Sequence, residues 1–357
     1  MTPLDLSRTV LDAVRCAVDA GELRVELPEG VVVDRPGPGG CGDFATNVAL
    51  RLARPAGQTP LRVAEILRSR LVTADGIRDV VITGPGFLNI RLAARGDLTA
   101  GLVGDVLTRG TAYGHSRALD GQVVVLRVPY EVRAEVVADA VARVVVTQGG
   151  RAEIEHLKPG DDQSIGVLRP VPAPEDPAPL GPDAAQWALL YPATHDRPRI
   201  SADHLVQRES NPLFRVRYAH ARVRSLSRAA HLLGFTAEPG DTGNTGDSGN
   251  TGNTSDSGNT GDTADTAEQA AQNTLLTALA AHPRILTATA THHAPDRLAR
   301  HLVAVADALV PLLPAVLPLG EEKPEATHRA RLALAEAAGT VLAGGLSLLG
   351  IDAPEHL

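Results

Sequence analysis

Lysine is almost missing from this chain: Lys158 and Lys323 are the only two among 357 residues. Arginine therefore supplies nearly all the cationic chemistry, and any motif that needs several lysines is excluded. Aromatic residues make up only 3%, so cores must be built from Leu, Val and Ala within an apolar share of 43%. Two cysteines, Cys16 and Cys41, are too few for a disulfide framework or a zinc set, and a reducing compartment suits them. Long apolar runs are lacking too. Ala308–Gly320 is short and is cut by Pro311, Pro314 and Pro318, so it cannot span a bilayer. Met1–Gly21 carries Asp5, Arg8, Asp12, Arg15 and Asp19 and has no apolar stretch of the kind a secretion signal needs, which leads to an expected cytoplasmic location. There is no overall excess of positive charge. The net charge of -8 argues against a nucleic-acid partner unless charge is segregated along the chain.

The length implies two or three domains, and the patterning predicts an α+β fold. Residues 1–112 read as a small α/β domain. Leu4–Asp19 is amphipathic, Val31–Val33 is strand-like, and Asp43–Ala53 and Leu61–Leu71 have helical period, the second opened by Thr59 and Pro60. Val80–Thr83 and Phe87–Leu92 read as strands joined across Gly84-Pro85-Gly86, with Leu98–Leu107 as a closing helix. Residues 116–205 hold a strand at Val123–Val128, a helix at Arg133–Gln148, weak strand signal and a Pro-rich run from Pro170 to Pro182. Residues 206–357 are helical, with helices expected near 267–281, 295–313 and 325–347. In the last of these Leu332, Leu334, Ala335, Ala338 and Leu342 form an apolar stripe, and Gly344-Gly345 invites the close approach of another helix. Residues 239–268 read as a disordered insert. Their centre, Gly240–Asp265, is almost wholly Gly, Asn, Asp, Thr and Ser. Calcium binding there is the alternative, but the spacing follows no known loop.

Gly37-Pro38-Gly39-Gly40-Cys41-Gly42 matches the G-x-G-x-x-G pattern of a dinucleotide loop. The helical Leu61–Leu71 stands where the second strand of a βαβ crevice belongs, and Pro38 removes an N–H that a phosphate would use. A turn before a helix is the better reading. No G-x-x-x-x-G-K-[ST] or G-x-S-x-G is present. His292-His293 cannot share a helix face and has no metal-spaced partners. Neither a catalytic set, a metal site nor a cofactor is expected.

Charge is indeed segregated. From Arg208 to Arg228, six arginines (Arg208, Arg215, Arg217, Arg222, Arg224 and Arg228) meet one acid, Glu209. Asn211 and Pro212 supply an N-cap and a first-turn proline. Leu213, Val216, Ala219, Val223, Leu226 and Ala230 then form one apolar face at helical spacing. Arg217, Arg224 and Arg228 line one flank; Arg215 and Arg222 line another, with Tyr218 between them. A solvated helix face normally mixes signs. Arginine forks bind phosphate bidentately, and Tyr218 offers a plane on which an unpaired base can stack.

At these residues the chain resembles a known family. Asn211-Pro212-Leu213-Phe214-Arg215-Val216-Arg217-Tyr218-Ala219-His220-Ala221-Arg222 is similar to the start of the anticodon-binding domain of arginyl-tRNA synthetases. Arg331-Leu332-Ala333-Leu334 and Gly345-Leu346-Ser347-Leu348-Leu349-Gly350-Ile351 resemble that family's closing helix and tail. Independently, Gly42-Asp43-Phe44-Ala45-Thr46-Asn47-Val48-Ala49-Leu50 and Gly84-Pro85-Gly86-Phe87-Leu88-Asn89-Ile90 resemble its additional N-terminal domain. The resemblance implies an elbow-contacting domain at 1–112 with Phe87 and Asn89 at the tRNA. At 206–357 it implies an all-α anticodon-binding bundle with Arg215, Arg217, Tyr218, His220, Arg222, Arg224 and Arg228 as RNA contacts. Two stretches depart from the pattern. Leu126–Gln148 still resembles the first strand and helix of the catalytic domain, but Val128-Pro129-Tyr130-Glu131-Val132-Arg133 stands where a His-x-Gly-His motif belongs, and none occurs anywhere. Fewer than about 100 residues separate the flanking domains, short of a full doubly wound domain. Residues 116–205 are thus expected to be a truncated, nucleotide-binding-like remnant. The family's aromatic-rich stretch is here Leu309-Val310-Pro311-Leu312-Leu313-Pro314-Ala315-Val316-Leu317.

Three readings stand side by side. The first is a non-catalytic tRNA-binding paralogue of arginyl-tRNA synthetase. The second is a protein-binding accessory or regulator of a full-length synthetase. The third is an arginine-tRNA ligase working without the histidine motif. The implied partner is tRNA, with arginine tRNA among the candidates; a full-length synthetase is the alternative, and no DNA, membrane or cofactor is called for.

Overall fold

The computed structural model describes residues 3–28, 30–34, 36, 42–74, 76–92, 95–158, 166–243 and 261–356. Gly37–Cys41 of the glycine loop and residues 244–260 of the expected insert lie outside the described residues. The chain forms two compact units, Met1–Leu98 and Thr99–Leu357.

In the first unit helix α1 (Pro3–Asp19) is followed by β1 (Phe44–Thr46), α2 (Val48–Ala56), α3 (Pro60–Leu71), β2 (Ile77–Thr83) and β3 (Phe87–Leu92). The three strands form one antiparallel sheet in the order β1-β3-β2. Leu6, Val10 and Val14 of α1, Leu67 and Leu71 of α3, and Leu88 and Ile90 of β3 close its core. Helix α3 starts as the sequence predicts: the Thr59 side chain accepts from the Arg62 N–H, with Pro60 at the first turn. The expected helix from Asp43 is instead a strand to Thr46, because Phe44, Ala45 and Thr46 pair with Ile90, Asn89 and Leu88. Val31–Val33 forms no ladder, although Val31 and Val33 are buried and Asp34 bridges to Ala45. Gly42 must be glycine. Its φ is +91°, and a Cβ would stand 2.8 Å from the Ile90 carbonyl oxygen.

Helix α4 (Arg95–Arg109) leads to the second unit, where β4 (Val123–Val128), α5 (Val132–Thr147) and β5 (Arg151–His156) make a strand–helix–strand unit. β4 and β5 pair in parallel, with Val167 bridged to Arg127. Helices α6 (Pro182–Leu190), α7 (Pro212–Leu232), α8 (Gly261–His292), α9 (Pro295–Leu309) and α10 (Ala326–Leu348) follow. Among the described residues of 116–205, Val137, Val141, Val144 and Trp187 lie in one continuous core with α7, α8, α9 and α10. Residues 261–268 of the expected insert are helical. At its other end Thr242 is buried, its hydroxyl accepting from Gln272 and its carbonyl from Arg331. The apolar stretch Pro295–Ala315 is long enough to cross a membrane, but 61% of its most apolar window is buried within this core.

The residue Arg133, at the start of α5, is wholly buried and faces no carboxylate directly. Its Nε donates to Leu189 O at 3.0 Å, Nη1 to Val171 O and Asp196 O at 2.6 and 2.7 Å, and Nη2 to Pro192 O and Ala193 O at 3.0 and 2.9 Å. Every N–H of the guanidinium is used. Burial pulls its pKa down, while the charges of Glu131, Asp196 and Asp296 act the other way.

Two histidines are buried where nothing can hold a second proton. His282 of α8 and His301 of α9 stack at 5.3 Å, and Tyr113 stacks on His282 at 5.9 Å. Burial, with His301 and His115 adding to it, pushes His282 down to about 3; burial alone pushes His301 down to about 4. Both pKa values are depressed, so the unfolded chain takes up protons first, at the ordinary histidine pKa of about 6.5. Stability is therefore full above about pH 6.5 and falls as pH drops towards 3–4. Going from about pH 7.5 to about pH 5.5 is expected to cost about 2 kcal/mol in denaturant unfolding. The double change His282→Gln/His301→Gln should remove about half of that loss or more. An identical pH dependence in both proteins would refute this assignment.

The Gly344-Gly345 pair separates cleanly. A Cβ on Gly345 would collide with the wholly buried Leu302 side chain of α9, whereas Gly344 has only Thr111 at 3.6 Å. Gly345→Ala is expected to cost about 1–3 kcal/mol through overpacking. Gly344→Ala should be neutral or stabilise by up to about 1 kcal/mol through helix propensity. Thermal melts of the two variants check this, and equal effects would contradict the packing.

Candidate nucleic-acid interface

Helix α7 starts where its sequence signals place it. Asn211 Oδ1 accepts from the Leu213 N–H at 3.1 Å, and its Nδ2 donates to His204 O and Val206 O at 2.8 and 3.0 Å. Leu213, Val216, Ala219, Val223, Leu226 and Ala230 are all buried, so the apolar stripe sets the rotation of the helix and fixes where each arginine emerges.

Acids from remote segments meet most of those arginines, which local sequence could not reveal. Arg215 Nη1 donates to both carboxylate oxygens of Asp307 at 2.9 Å. Arg217 lies 3.3 Å from Asp183, both about three-quarters buried. The Nε atoms of Arg215 and Arg217 are buried without a partner, so these two side chains are held against the protein. Arg224 donates to Glu355 at 2.9 Å, and Arg228 lies 3.9 Å from the same carboxylate and 3.3 Å from His356 Nδ1. The Arg224 bond, aided by the charges of Arg228 and His356, holds the Glu355 carboxyl below its usual range. Both side chains are roughly half exposed, where such pairs contribute little and are readily exchanged. Arg222 is exposed and has no carboxylate partner among the described residues.

Two expected contacts are corrected by burial. His220 is 6% exposed and its Nδ1 lies 3.0 Å from Pro354 O; burial lowers its pKa, and the imidazole anchors the 351–356 tail rather than facing solvent. Asn89 is 2% exposed and its Nδ2 donates to Thr83 Oγ1 at 2.6 Å and to Val81 O at 3.3 Å. It ties the β2–β3 hairpin together. Phe87, at the start of β3, is exposed and stays available for contact.

Tyr218 is also exposed, and its ring lies 5.7 Å from that of Phe214, tilted by 31°. The pair borders a cavity of about 370 Å³ that Glu209, Arg215, Asp307, Val310 and Pro311 complete. Phe214, four residues before Tyr218 on the same face, was legible as an i,i+4 aromatic pair. Val310 and Pro311 were not, because they come from the turn after α9. The structure thus brings Tyr218 and Arg215 to one cavity and Arg224 and Arg228 to the tail. Phe87 and Asn89 belong to the other unit.

Comparison with known proteins agrees with this division. Residues 216–357 match the DALR anticodon binding domain, and residues 7–92 match the arginyl tRNA synthetase N terminal domain. The arginine–tRNA ligase of Renibacterium salmoninarum is 40% identical over 169 residues, covering 44% of this chain and 30% of the ligase. That of Frankia alni is 40% identical over 159 residues, covering 42% of this chain and 28% of the ligase. The chain therefore spans less than a third of the length of these relatives. The solved arginyl-tRNA synthetase of Thermus thermophilus superposes with a TM-score of 0.44 at 13% identity over the whole of both chains. With an N-terminal synthetase domain at one end and a DALR anticodon-binding domain at the other, the chain is an arginyl-tRNA synthetase-related protein.

Proposed function

We propose that this protein is a non-catalytic tRNA-binding relative of arginyl-tRNA synthetase, with arginine tRNA as the first candidate ligand. The observation that carries the reading is the exposed face of α7 inside the matched anticodon-binding domain. Arg222 is exposed there on the flank that carries Tyr218 and its cavity, and Arg224 and Arg228 are exposed on the opposite flank. Guanidinium forks hold phosphates, and an aromatic at a cavity rim stacks an unpaired base. The ligases it resembles act on arginine and tRNA, and binding rather than chemistry is inferred here because no His-x-Gly-His occurs in the chain. The N-terminus of α5, where a strand–helix–strand unit would hold a phosphate, is closed by Glu131, whose carboxylate accepts from the Ala134 N–H at 2.9 Å. Phe87 is proposed as a contact of the first unit with the same RNA. A cytoplasmic setting is part of this proposal.

A second reading, a protein partner such as a full-length synthetase, has one observation behind it. Val123, Val125, Tyr130 and Val132 form an exposed apolar strip around β4 and the start of α5.

The deciding measurement is tRNA affinity across a salt series, for the intact chain and for Arg222→Gln/Arg224→Gln/Arg228→Gln. Steep salt dependence is expected, with the variant's log–log slope shallower by about 2, since each phosphate contact contributes roughly 0.7–0.9. Absence of tRNA binding at low salt would overturn the first reading and favour the second. Arginine-dependent pyrophosphate exchange would overturn the non-catalytic part of it.

Glu355 competes with RNA phosphates for Arg224 and Arg228 on this reading. Glu355→Gln is therefore expected to tighten tRNA binding by about two- to five-fold at low salt, with the gain shrinking as salt rises. Unchanged affinity would mean that these two arginines do not face the RNA.

A further inference from the structure

A separate cavity of about 500 Å³ lies in the second unit, away from Tyr218. Its walls come from Trp187 of α6 and Tyr191 just after it, the Asp196–Ser201 loop, the first turn of α7, and Arg300 of α9. Small-molecule sites occupy roughly 300–1,000 Å³.

Trp187 is wholly buried, and its indole N–H has no acceptor. The cations of the rim are available. Arg197 and Arg199 are exposed and make no ion pair among the described residues, and Arg300 is half exposed, 3.5 Å from Asp296. Asn211 and Pro212 bring the positive end of α7 to the same space. Two carboxylates also line it. Asp203 accepts from the Ser201 hydroxyl at 3.1 Å, and Asp196 lies 3.8 Å from His195. The wall is rigid, because the carbonyls of Pro192, Ala193 and Asp196 are held by Arg133.

We propose that this cavity binds a nucleoside monophosphate. The guanidinium groups of Arg197, Arg199 and Arg300 take the phosphate. Tyr191, stacked on Trp187 at 5.2 Å, provides a flat wall for the base, and Asp196 and Asp203 accept from its amino group or the ribose hydroxyls.

Trp187 is the only tryptophan in the chain, so intrinsic fluorescence reads this site alone. The intact protein is titrated with AMP, GMP, CMP and UMP, with the corresponding nucleosides and with inorganic phosphate, and calorimetry repeats any response. A saturable change is expected with at least one nucleotide, about tenfold weaker with its nucleoside and in Arg197→Gln/Arg199→Gln. Far-UV circular dichroism of that variant should match the parent, since both side chains are exposed. No response to any nucleotide would overturn the proposal. A response that survives the double substitution, or one that inorganic phosphate reproduces at equal strength, would overturn it as well. None of these readouts depends on tRNA.

Discussion

Five backbone carbonyls converge on one guanidinium, and much of the second unit is arranged around that fact. Arg133 sits on the first turn of α5, yet its acceptors come from Val171 and from the Leu189–Asp196 segment after α6. A buried charge without a carboxylate partner survives only if every donor is satisfied. The geometry of the loop after α6 therefore follows from the position of one side chain. That loop leads into the segment that caps α7, and Asn211 fixes α7 by holding the carbonyls of His204 and Val206. The strand–helix–strand unit and the helical bundle are one cooperative structure for this reason. Gln148 adds a second tie: it is wholly buried, and its carbonyl oxygen accepts from both Ser116 and Thr287 of α8. Arg143 adds a third by donating to Leu348 O at 2.8 Å.

Charge on α7 is balanced at a distance. The six cations between Arg208 and Arg228 meet one acid in sequence, but Asp183, Asp307 and Glu355 arrive through the fold. The balance is uneven in depth. Arg217 and Asp183 are mostly buried, so that pair shapes the helix–helix contact and resists exchange. Arg224 and Glu355 are half exposed, where water and salt screen the attraction and another anion can take the place of the carboxylate. A net charge of -8 is thus compatible with a face that holds phosphate, because the acid that meets Arg224 and Arg228 sits on a tail and not in the helix.

Much of this was legible where the signal is local. Period and caps gave α3 and α7 nearly to the residue, and Gly84-Pro85-Gly86 gave the β2–β3 hairpin. The family resemblance rested on runs in α7 and the β2–β3 hairpin, and on others in Gly42–Leu50 and α10. What local patterns could not supply was the destination of polar side chains. Asn89 and His220 have the chemistry of RNA contacts, and both are buried because a carbonyl or hydroxyl from elsewhere needed their donors. β1 was hidden because Phe44–Thr46 continues the helical period of α2 and becomes a strand only by pairing with β3. The polar insert looked uniform in composition, yet Thr242 near its start is claimed by long-range bonds from Arg331 and Gln272.

The turn between β4 and α5 shows how a fold element can persist while its usual chemistry does not. In a strand–helix–strand unit this turn ordinarily offers backbone N–H groups and a helix N-terminus to an anion. Here Pro129 has no N–H to offer. The Glu131 N–H turns back to Pro129 O at 2.8 Å, and its carboxylate already holds the Ala134 N–H. Arg133, the nearest cation, has no donor left. An incoming phosphate would have to displace a negative cap and strip a guanidinium from five carbonyls, which would loosen the loop that positions α7. Stability and anion binding conflict at this turn, because the Glu131 carboxylate and the Arg133 guanidinium are both committed to stability.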